Sequence, residues 1–96
     1  PMFALAVYEM AANAIEHGNR FNKNKKVKIN IIVKDHFILA SIEDQGDGFQ
    51  WEQIMKHGLD VEQYKERGNG IALTKILCDH ISYENKGRKV TLTRRF

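Results

Sequence analysis

The pattern of apolar and polar positions predicts an amphipathic helix at the start of the chain. From residue 2 to residue 17, apolar side chains recur at three- and four-residue spacing, which is typical of a helix with one buried face. Gly18 then ends the helix. The face that we expect to be buried consists of Phe3, Val7, Met10, Ala14 and Ile15.

Strict alternation over the next part of the chain predicts a β-hairpin. Within residues 26–33, Val27, Ile29, Ile31 and Val33 share one face, so we expect a half-buried strand. A short turn at 34–36 leads into a second strand over 37–44. Asp44 ends an apolar row in that strand, and its carboxylate should therefore point towards the layer that covers the row.

The second half of the chain predicts a helix followed by two closing strands. Apolar residues from Ile71 to Cys78, including Ile76, indicate an amphipathic helix that ends near His80. Strands over 81–84 and 89–95 flank a turn at 85–87. Residues 50–67 have no clean period, and a connection of this length in a small domain is typical of a functional lid.

Composition limits the class of protein. A chain of 96 residues makes one small domain, and 43% hydrophobic with 28% charged residues is typical of a globular protein. No apolar run is long enough to span a membrane. The single cysteine, Cys78, excludes an internal disulfide and is typical of a reducing compartment, so we expect a cytoplasmic protein. The net charge of +3 suits a polyphosphate ligand, and we expect no direct binding of nucleic acid.

Three short motifs carry chemistry, although each one alone is weak. Glu9 and Asn13 lie one helical turn apart on the same face and offer oxygen ligands of the kind that Mg²⁺ prefers. The segment 44–48, D-Q-G-D-G, follows a strand, and its glycines allow a ligand to approach the main chain. The segment 68–70, G-N-G, opens a helix and so predicts an anion site.

In this order the motifs resemble the Bergerat-type (GHKL-type) ATP-binding domain of gyrase, heat-shock chaperone, mismatch-repair and histidine-kinase ATPases. The sequences of the motifs most resemble those of the serine kinases that act as anti-sigma factors. The segments concerned are A-N-A-I-E-H-G-N, E-D-Q-G-D-G-F, R-G-N-G-I-A-L-T-K-I-L and V-T-L-T-R-R. The resemblance extends from Tyr8 to Arg95. With the predicted elements, it implies an α/β (α+β) two-layer sandwich, with helices on one face of a mixed, mostly antiparallel sheet.

The resemblance also implies a role for each matching position. Glu9 would be the general base on the attacking hydroxyl, and Asn13 would bind Mg²⁺. Asp44 would accept a hydrogen bond from the adenine amino group. The other matches are Gly46 and Gly48 around the base, Gly68, Asn69 and Gly70 at the phosphates, and Arg67 near the terminal phosphate.

The function implied is a serine/threonine protein kinase that uses Mg-ATP and phosphorylates a small anti-anti-sigma-type protein. A sigma factor and a second copy of the chain are further candidate partners. Two other functions stay open: a nucleotide-dependent module that sequesters a partner with little turnover, and the catalytic domain of a sensor histidine kinase. The chain lacks the paired-phenylalanine box of most sensor histidine kinases, which argues against the latter.

The chain departs from the family pattern in two places. Relatives often carry a threonine near the adenine after the glycine of the last hairpin, whereas here Gly87 is followed by Arg88. The family's usual first strand and helix, ahead of the Asn-bearing helix, do not occur within residues 1–96. We therefore expect one ATP-binding domain over 1–96 that is a fragment of a longer protein, with its lid at 50–67.

Overall fold

The fold has two layers, with helices on one face of a four-stranded sheet. The computed structural model describes residues 2–52 and 69–96. Its elements are α1 (Met2–Asn13), which continues as a π-helix (Ala14–Gly18), β1 (Lys28–Val33), β2 (Phe37–Glu43), α2 (Asn69–Leu77), β3 (His80–Glu84) and β4 (Lys89–Arg95). No helix in the described ranges is long and apolar enough to cross a membrane.

The sheet has the strand order β1-β2-β4-β3, and all of these neighbouring strands pair antiparallel. The predicted two-layer α/β architecture is confirmed. Over the described residues the sheet is antiparallel throughout, whereas the expectation was a mixed sheet. Hairpins join β1 to β2 and β3 to β4, and a hairpin makes its two strands antiparallel. The central pair β2 and β4 is also antiparallel, although α2 and β3 lie between these strands in the chain.

The core lies between the helices and the two central strands. Ala40 pairs with Leu92 and Ile42 pairs with Val90 across β2 and β4, and all four are buried. The helices contribute Ala6, Met10, Ala14 and Ile71 to the same cluster. The predicted alternation in β2 and β4 is thus confirmed, since the apolar row of each strand faces the helices.

The predicted burial of β1 is wrong. Ile29, Ile31 and Val33 do lie on the core side of the sheet, because they pair with Ile42, Ala40 and Ile38 of β2. Every residue of β1 is nevertheless exposed. The reason is the position of the helix layer, in which α1 packs on β2 and β4 while α2 packs on β3. An edge strand outside that layer keeps its apolar face in solvent.

The first helix departs from the predicted regular helix at its end. After Asn13 the chain widens into a π-helix, in which the backbone N–H of Asn19 donates to the carbonyl of Ala14. A π turn takes more residues than an α turn and shifts the following side chains out of the α-helical phase. Ile15, within the π-helix, is therefore 47% exposed instead of buried. Ala6, earlier in the regular part of α1, was not in the predicted buried face but is fully buried in the core.

The second helix is displaced along the sequence relative to the prediction. It begins at Asn69 and ends at Leu77, so Cys78 follows the helix and is buried in the core. Burial raises the pKa of the Cys78 thiol. Ile76 is 79% exposed and is not on the buried face of α2. Arg94 donates from Nη1 to the carbonyl of Leu77, which satisfies a backbone acceptor at the helix end.

Two residues in one row of the sheet test where the core ends. Leu92 is fully buried, and Ile31 lies two strands away in the same row but is 56% exposed. Leu92→Ala should lower the free energy of unfolding by about 2–5 kcal/mol, the usual loss for a large side chain replaced by alanine in a core. Ile31→Ala should cost less than about 1 kcal/mol. Urea denaturation of both variants checks this, and equal losses would contradict the exposed position of β1.

Candidate functional site

Asp44 occupies the position that its place in the sequence predicted, directly after β2 and on the helix side of the sheet. Its side chain is buried, with 7% exposure. The carboxylate Oδ1 accepts a hydrogen bond from the backbone N–H of Gly46 at 2.8 Å. The backbone N–H of Asp44 donates to the carbonyl of Arg88 at 2.9 Å. These bonds orient a buried carboxylate at the end of the central strand.

Two glycines allow the end of the first helix to touch the loop after β2. A Cβ on Gly18 would overlap the carboxylate of Asp44, and a Cβ on Gly46 would overlap the carbonyl of Gly18. Any side chain at either position would force the helix and the loop apart. Sequence reasoning treated Gly18 only as a helix stop, and the D-x-G-x-G pattern gave no sign of its neighbour.

A second pair of glycines joins the same loop to the β3–β4 turn. Gly48 and Gly87 have positive φ angles of 85° and 88°. The N–H of Phe49 donates to the carbonyl of Lys86 at 2.9 Å, and a Cβ on Gly48 would overlap that carbonyl. The β3–β4 turn therefore lies directly against the loop that carries Asp44. This contact brings Arg88, the residue after Gly87, close to Asp44.

Asn19 holds three parts of the site together, and sequence reasoning missed it. The side chain is 3% exposed. Its Nδ2 donates to the carbonyl of Lys26 at 3.1 Å, and its Oδ1 accepts from the N–H of Gln45 at 2.8 Å. One carboxamide thus joins the helix end, the loop before β1 and the Asp44 loop. No local signal indicates this, because Asn after Gly at a helix end is common in ordinary caps.

Between α1 and the sheet lies a narrow cavity, which we call the Asp44 cleft. It is lined by Met10, Asn13, Ala14, Ile42, Asp44, Tyr83, Gly87, Arg88 and Val90 and has a volume of about 20 Å³. The hydroxyl of Tyr83 contacts the sulfur of Met10 at 3.7 Å. The Tyr83 ring stacks on Trp51, with centroids 5.7 Å apart, and meets Phe49 edge-on at 5.3 Å. The cleft therefore combines apolar side chains with the Asp44 carboxylate, the Asn13 amide and the Arg88 side chain.

The Glu9 and Asn13 side chains meet the start of α2. A Cβ on Gly70 would lie 3.2 Å from both Asn13 Nδ2 and Glu9 Oε2. Both side chains are partly exposed, and neither hydrogen-bonds another residue in the described ranges. An acid and an amide are thus available beside a helix N-terminus, where the helix dipole favours anions.

The structure brings Glu9, Asn13 and Gly70 together at one end of the site, and Asp44, Gly46 and Gly48 at the other. Arg67 and Gly68 lie outside the described residues, as does most of the lid predicted at 50–67. Asn69 is the first residue of α2. Within 2–52 and 69–96, no group of three or more His, Cys, Asp or Glu side chains could hold a metal ion.

Comparisons with known proteins give a family match and a similar protein. A family model described as the histidine kinase-like ATPase domain matches residues 3–94. The serine-protein kinase RsbW of Bacillus subtilis (strain 168) is 29% identical over 97 residues, an overlap that includes 94% of this chain and 61% of that protein. The chain thus spans about three fifths of the length of this curated relative.

Gly46 tests the close contact between the helix end and the loop. Gly46→Ala should lower the free energy of unfolding by about 1–3 kcal/mol, because the added methyl group overlaps the Gly18 carbonyl and the backbone must move. Asp47→Ala, one residue later and exposed, should change stability by less than about 0.5 kcal/mol. Urea denaturation measures both, and a Gly46→Ala protein as stable as wild type would show that the loop does not need this contact.

Proposed function

The chain belongs to the family of histidine kinase-like ATPase domains, and from that premise we propose that it transfers the terminal phosphoryl group of Mg-ATP to a serine or threonine of a small partner protein. The observation that carries this proposal is the meeting of Glu9 and Asn13 with Gly70 at the start of α2. A base, a metal ligand and a phosphate site are the parts that phosphoryl transfer requires. The similarity to a serine-protein kinase supports serine as the acceptor.

ATP would bind with its base in the Asp44 cleft and its phosphates at α2. The Asp44 carboxylate faces the cleft as an acceptor for the exocyclic amino group of adenine, and Gly46 and Gly48 allow the base to approach the main chain. The phosphates would lie at the N-terminus of α2, where Asn69 and Gly70 are the first two residues and contribute backbone N–H groups. The motif resemblance adds Gly68 to this phosphate site. Arg67 would add a cation near the terminal phosphate.

The Asp44 cleft must widen to admit a base. Its volume of about 20 Å³ is roughly the space of one water molecule. The side chains of Met10 and Arg88 line it, and both are flexible chains that can move without disturbing the backbone. We infer that nucleotide binding displaces one or both of them.

Asn13 fits the role of a magnesium ligand. Its amide has no hydrogen-bond partner among the described residues and lies beside Gly70. Mg²⁺ is usually held in nucleotide sites by one or two protein oxygens, with phosphates and water completing its shell. When bound, the metal would neutralise negative charge on the phosphates. A site with one amide ligand needs no further cluster of protein ligands.

Glu9 would act on the acceptor hydroxyl. Its carboxylate lies beside the same Gly70 backbone and is partly exposed, so a serine from a second protein can reach it. As the serine oxygen attacks the terminal phosphorus, Glu9 takes the hydroxyl proton, the new O–P bond forms and the bond to the β-phosphate oxygen breaks. ADP then leaves, and the partner carries the phosphate.

The motif resemblance supports a more specific assignment within this family. We propose that the protein is a cytoplasmic kinase of the anti-sigma-factor type, with an anti-anti-sigma-type protein as its substrate. A sigma factor would be a second partner, and a homodimer would be the working form. These assignments rest on the amino-acid sequences of the motifs and on the similarity to RsbW.

Asp44 tests the position of the base. Asp44→Asn should weaken ATP binding by about 1–3 kcal/mol, because a charged hydrogen bond to the amino group is lost and an amide N–H₂ faces it instead. Asp47→Asn removes the same charge from an exposed site in the same loop and should leave affinity within about twofold of wild type. Isothermal titration with ATP gives both values. Unchanged affinity in Asp44→Asn would place the base elsewhere.

Glu9 tests catalysis separately from binding. Glu9→Gln should keep Mg-ATP affinity close to that of wild type but slow phosphorylation of the partner by about 10²–10⁴-fold, the usual contribution of a general base. Glu16→Gln, an exposed residue farther along α1 and its π-helix, is the matched control and should transfer at the wild-type rate. Asn13→Ala should reduce both binding and transfer.

The measurement uses purified partner protein and ATP labelled on its terminal phosphate. A Glu9→Gln protein that transfers as fast as wild type would remove Glu9 from the role of base. A wild-type protein that binds ATP and the partner but labels no residue would favour a nucleotide-dependent sequestering module over a kinase.

A further inference from the structure

Tyr83 brings to the Asp44 cleft a hydroxyl group that the proposed transfer of phosphate does not use. The residue lies in β3 and pairs with Val90 of β4, which in turn pairs with Ile42 of β2. Side chains of directly paired residues lie on the same face of a sheet. All three of these side chains line the cleft, as does Asp44, two residues after Ile42. Tyr83 and Asp44 are thus parts of the same wall.

Aromatic neighbours hold the ring of Tyr83 on two sides. The Trp51 ring stacks on it, with 21° between the two planes. The Phe49 ring meets it edge-on, with 86° between the planes. Stacked and edge-on pairs are the arrangements that aromatic rings prefer. The direction in which the phenol enters the cleft is therefore set by the fold.

The hydroxyl of Tyr83 crosses the cleft and meets a weak acceptor on α1. It donates a hydrogen bond to the sulfur of Met10 at 3.7 Å. A thioether sulfur is a weak acceptor, and a hydroxyl donates more strongly to an oxygen or nitrogen atom. Exchange of the sulfur for such an acceptor on a ligand would therefore be favourable.

Met10 is a side chain that can give way to a ligand. It lines the cleft and is only 2% exposed, so its sulfur occupies space that an incoming base needs. A methionine side chain has three rotatable bonds and adapts easily to a change in its surroundings. Movement of the sulfur would remove its contact with the Tyr83 hydroxyl, and an acceptor on the base could replace that contact.

The other polar side chains of the cleft are directed elsewhere or have the wrong chemistry. Among the described lining residues they are Asn13, Asp44 and Arg88. Asn13 Nδ2 is close to Gly70 at the phosphate end, and Arg88 Nε donates to a carbonyl of the β3–β4 turn. The Asp44 carboxylate is an acceptor and cannot bond a ring nitrogen that also accepts. Tyr83 is therefore the side chain best placed to donate to the base.

We propose that the Tyr83 hydroxyl recognises the base, by donating a hydrogen bond to a ring nitrogen of adenine in place of the Met10 sulfur. This inference rests on the proposed function, which puts the base in the Asp44 cleft. Adenine carries a donor in its exocyclic amino group and acceptors in its ring nitrogens. The carboxylate of Asp44 and the hydroxyl of Tyr83 match these two kinds of group.

Removal of one hydroxyl group tests this role without removing the ring. Tyr83→Phe keeps the contacts with Trp51 and Phe49, and its dissociation constant for ATP should rise about three- to tenfold, as expected for the loss of one neutral hydrogen bond. Tyr8→Phe is the matched control, because Tyr8 is 67% exposed and does not line the cleft. Its affinity should stay within about twofold of wild type. Isothermal titration of the full chain with ATP measures both.

Deaza analogues of ATP identify the atom that Tyr83 contacts. The 1-deaza, 3-deaza and 7-deaza analogues each have a C–H group in place of one ring nitrogen, with little change in size. Wild type should bind the analogue that lacks the contacted nitrogen about three- to tenfold more weakly than ATP. Tyr83→Phe should bind that analogue and ATP equally well, because the variant has already lost the contact.

Two results would overturn the role of Tyr83. The first is an ATP affinity in Tyr83→Phe equal to that of wild type. The second is a penalty for every analogue that is as large in Tyr83→Phe as in wild type, which would show that the hydroxyl bonds no ring nitrogen.

Asp44→Asn, titrated in the same series, separates this inference from the proposed function. Weaker ATP binding in Asp44→Asn with unchanged binding in Tyr83→Phe would leave the base in the Asp44 cleft and reject only the role of Tyr83. Unchanged binding in both variants would reject the position of the base as well.

Discussion

The contact between Gly18 at the end of the first helix and Gly46 after β2 determines where the other site residues lie. Neither position has room for a side chain, because a Cβ on one would overlap the backbone or carboxylate of the other segment. At this distance the helix end covers Asp44 and buries its carboxylate, while Asn19 bonds both the Asp44 loop and the chain before β1. An acid that is buried but hydrogen-bonded costs far less than an unpaired one, which makes this arrangement tolerable in a small domain.

The helix layer covers only part of the sheet, so the sheet has a covered part and an uncovered part. Over β2 and β4 the helices bury the core and form the Asp44 cleft. Beyond that layer β1 has an exposed apolar row, although its residues continue the rows of the core. The start of the same strand contributes Lys28 to a wider cavity at the strand ends, which Glu43, Asp44 and Arg88 also line. The Asp44 cleft is thus narrow, whereas the neighbouring cavity at the strand ends is wider and lined by charged residues.

Arg88 links these two regions. Its side chain lines both the Asp44 cleft and the wider cavity at the strand ends. Its backbone carbonyl accepts from Asp44, so the residue is part of the frame that positions the acid. A ligand in either cavity meets the same side chain.

The local pattern of apolar and polar residues determined much of this protein's secondary structure and the faces of its strands. The alternation in β2 and β4 identified which residues face the core, because side chains in a strand alternate between the two faces. The spacing of Glu9 and Asn13 on one helix placed an acid and an amide side by side for the same kind of reason. The glycine motifs, read together, were enough to indicate a family, which the match over residues 3–94 confirms.

Only the tertiary structure decided whether a face is covered and which distant segments touch. Ile31 and Leu92 belong to the same row, yet one is exposed and the other buried, because burial depends on where a helix from another part of the chain lies. The π turn that contains the exposed Ile15 likewise cannot be predicted from an apolar pattern that assumes a single helical period. Asn19 bonds a residue 26 positions away, and Lys28 of the first hairpin lines the same cavity as Arg88 of the second. Such contacts depend on the three-dimensional path of the whole chain, and no local period or motif encodes that path.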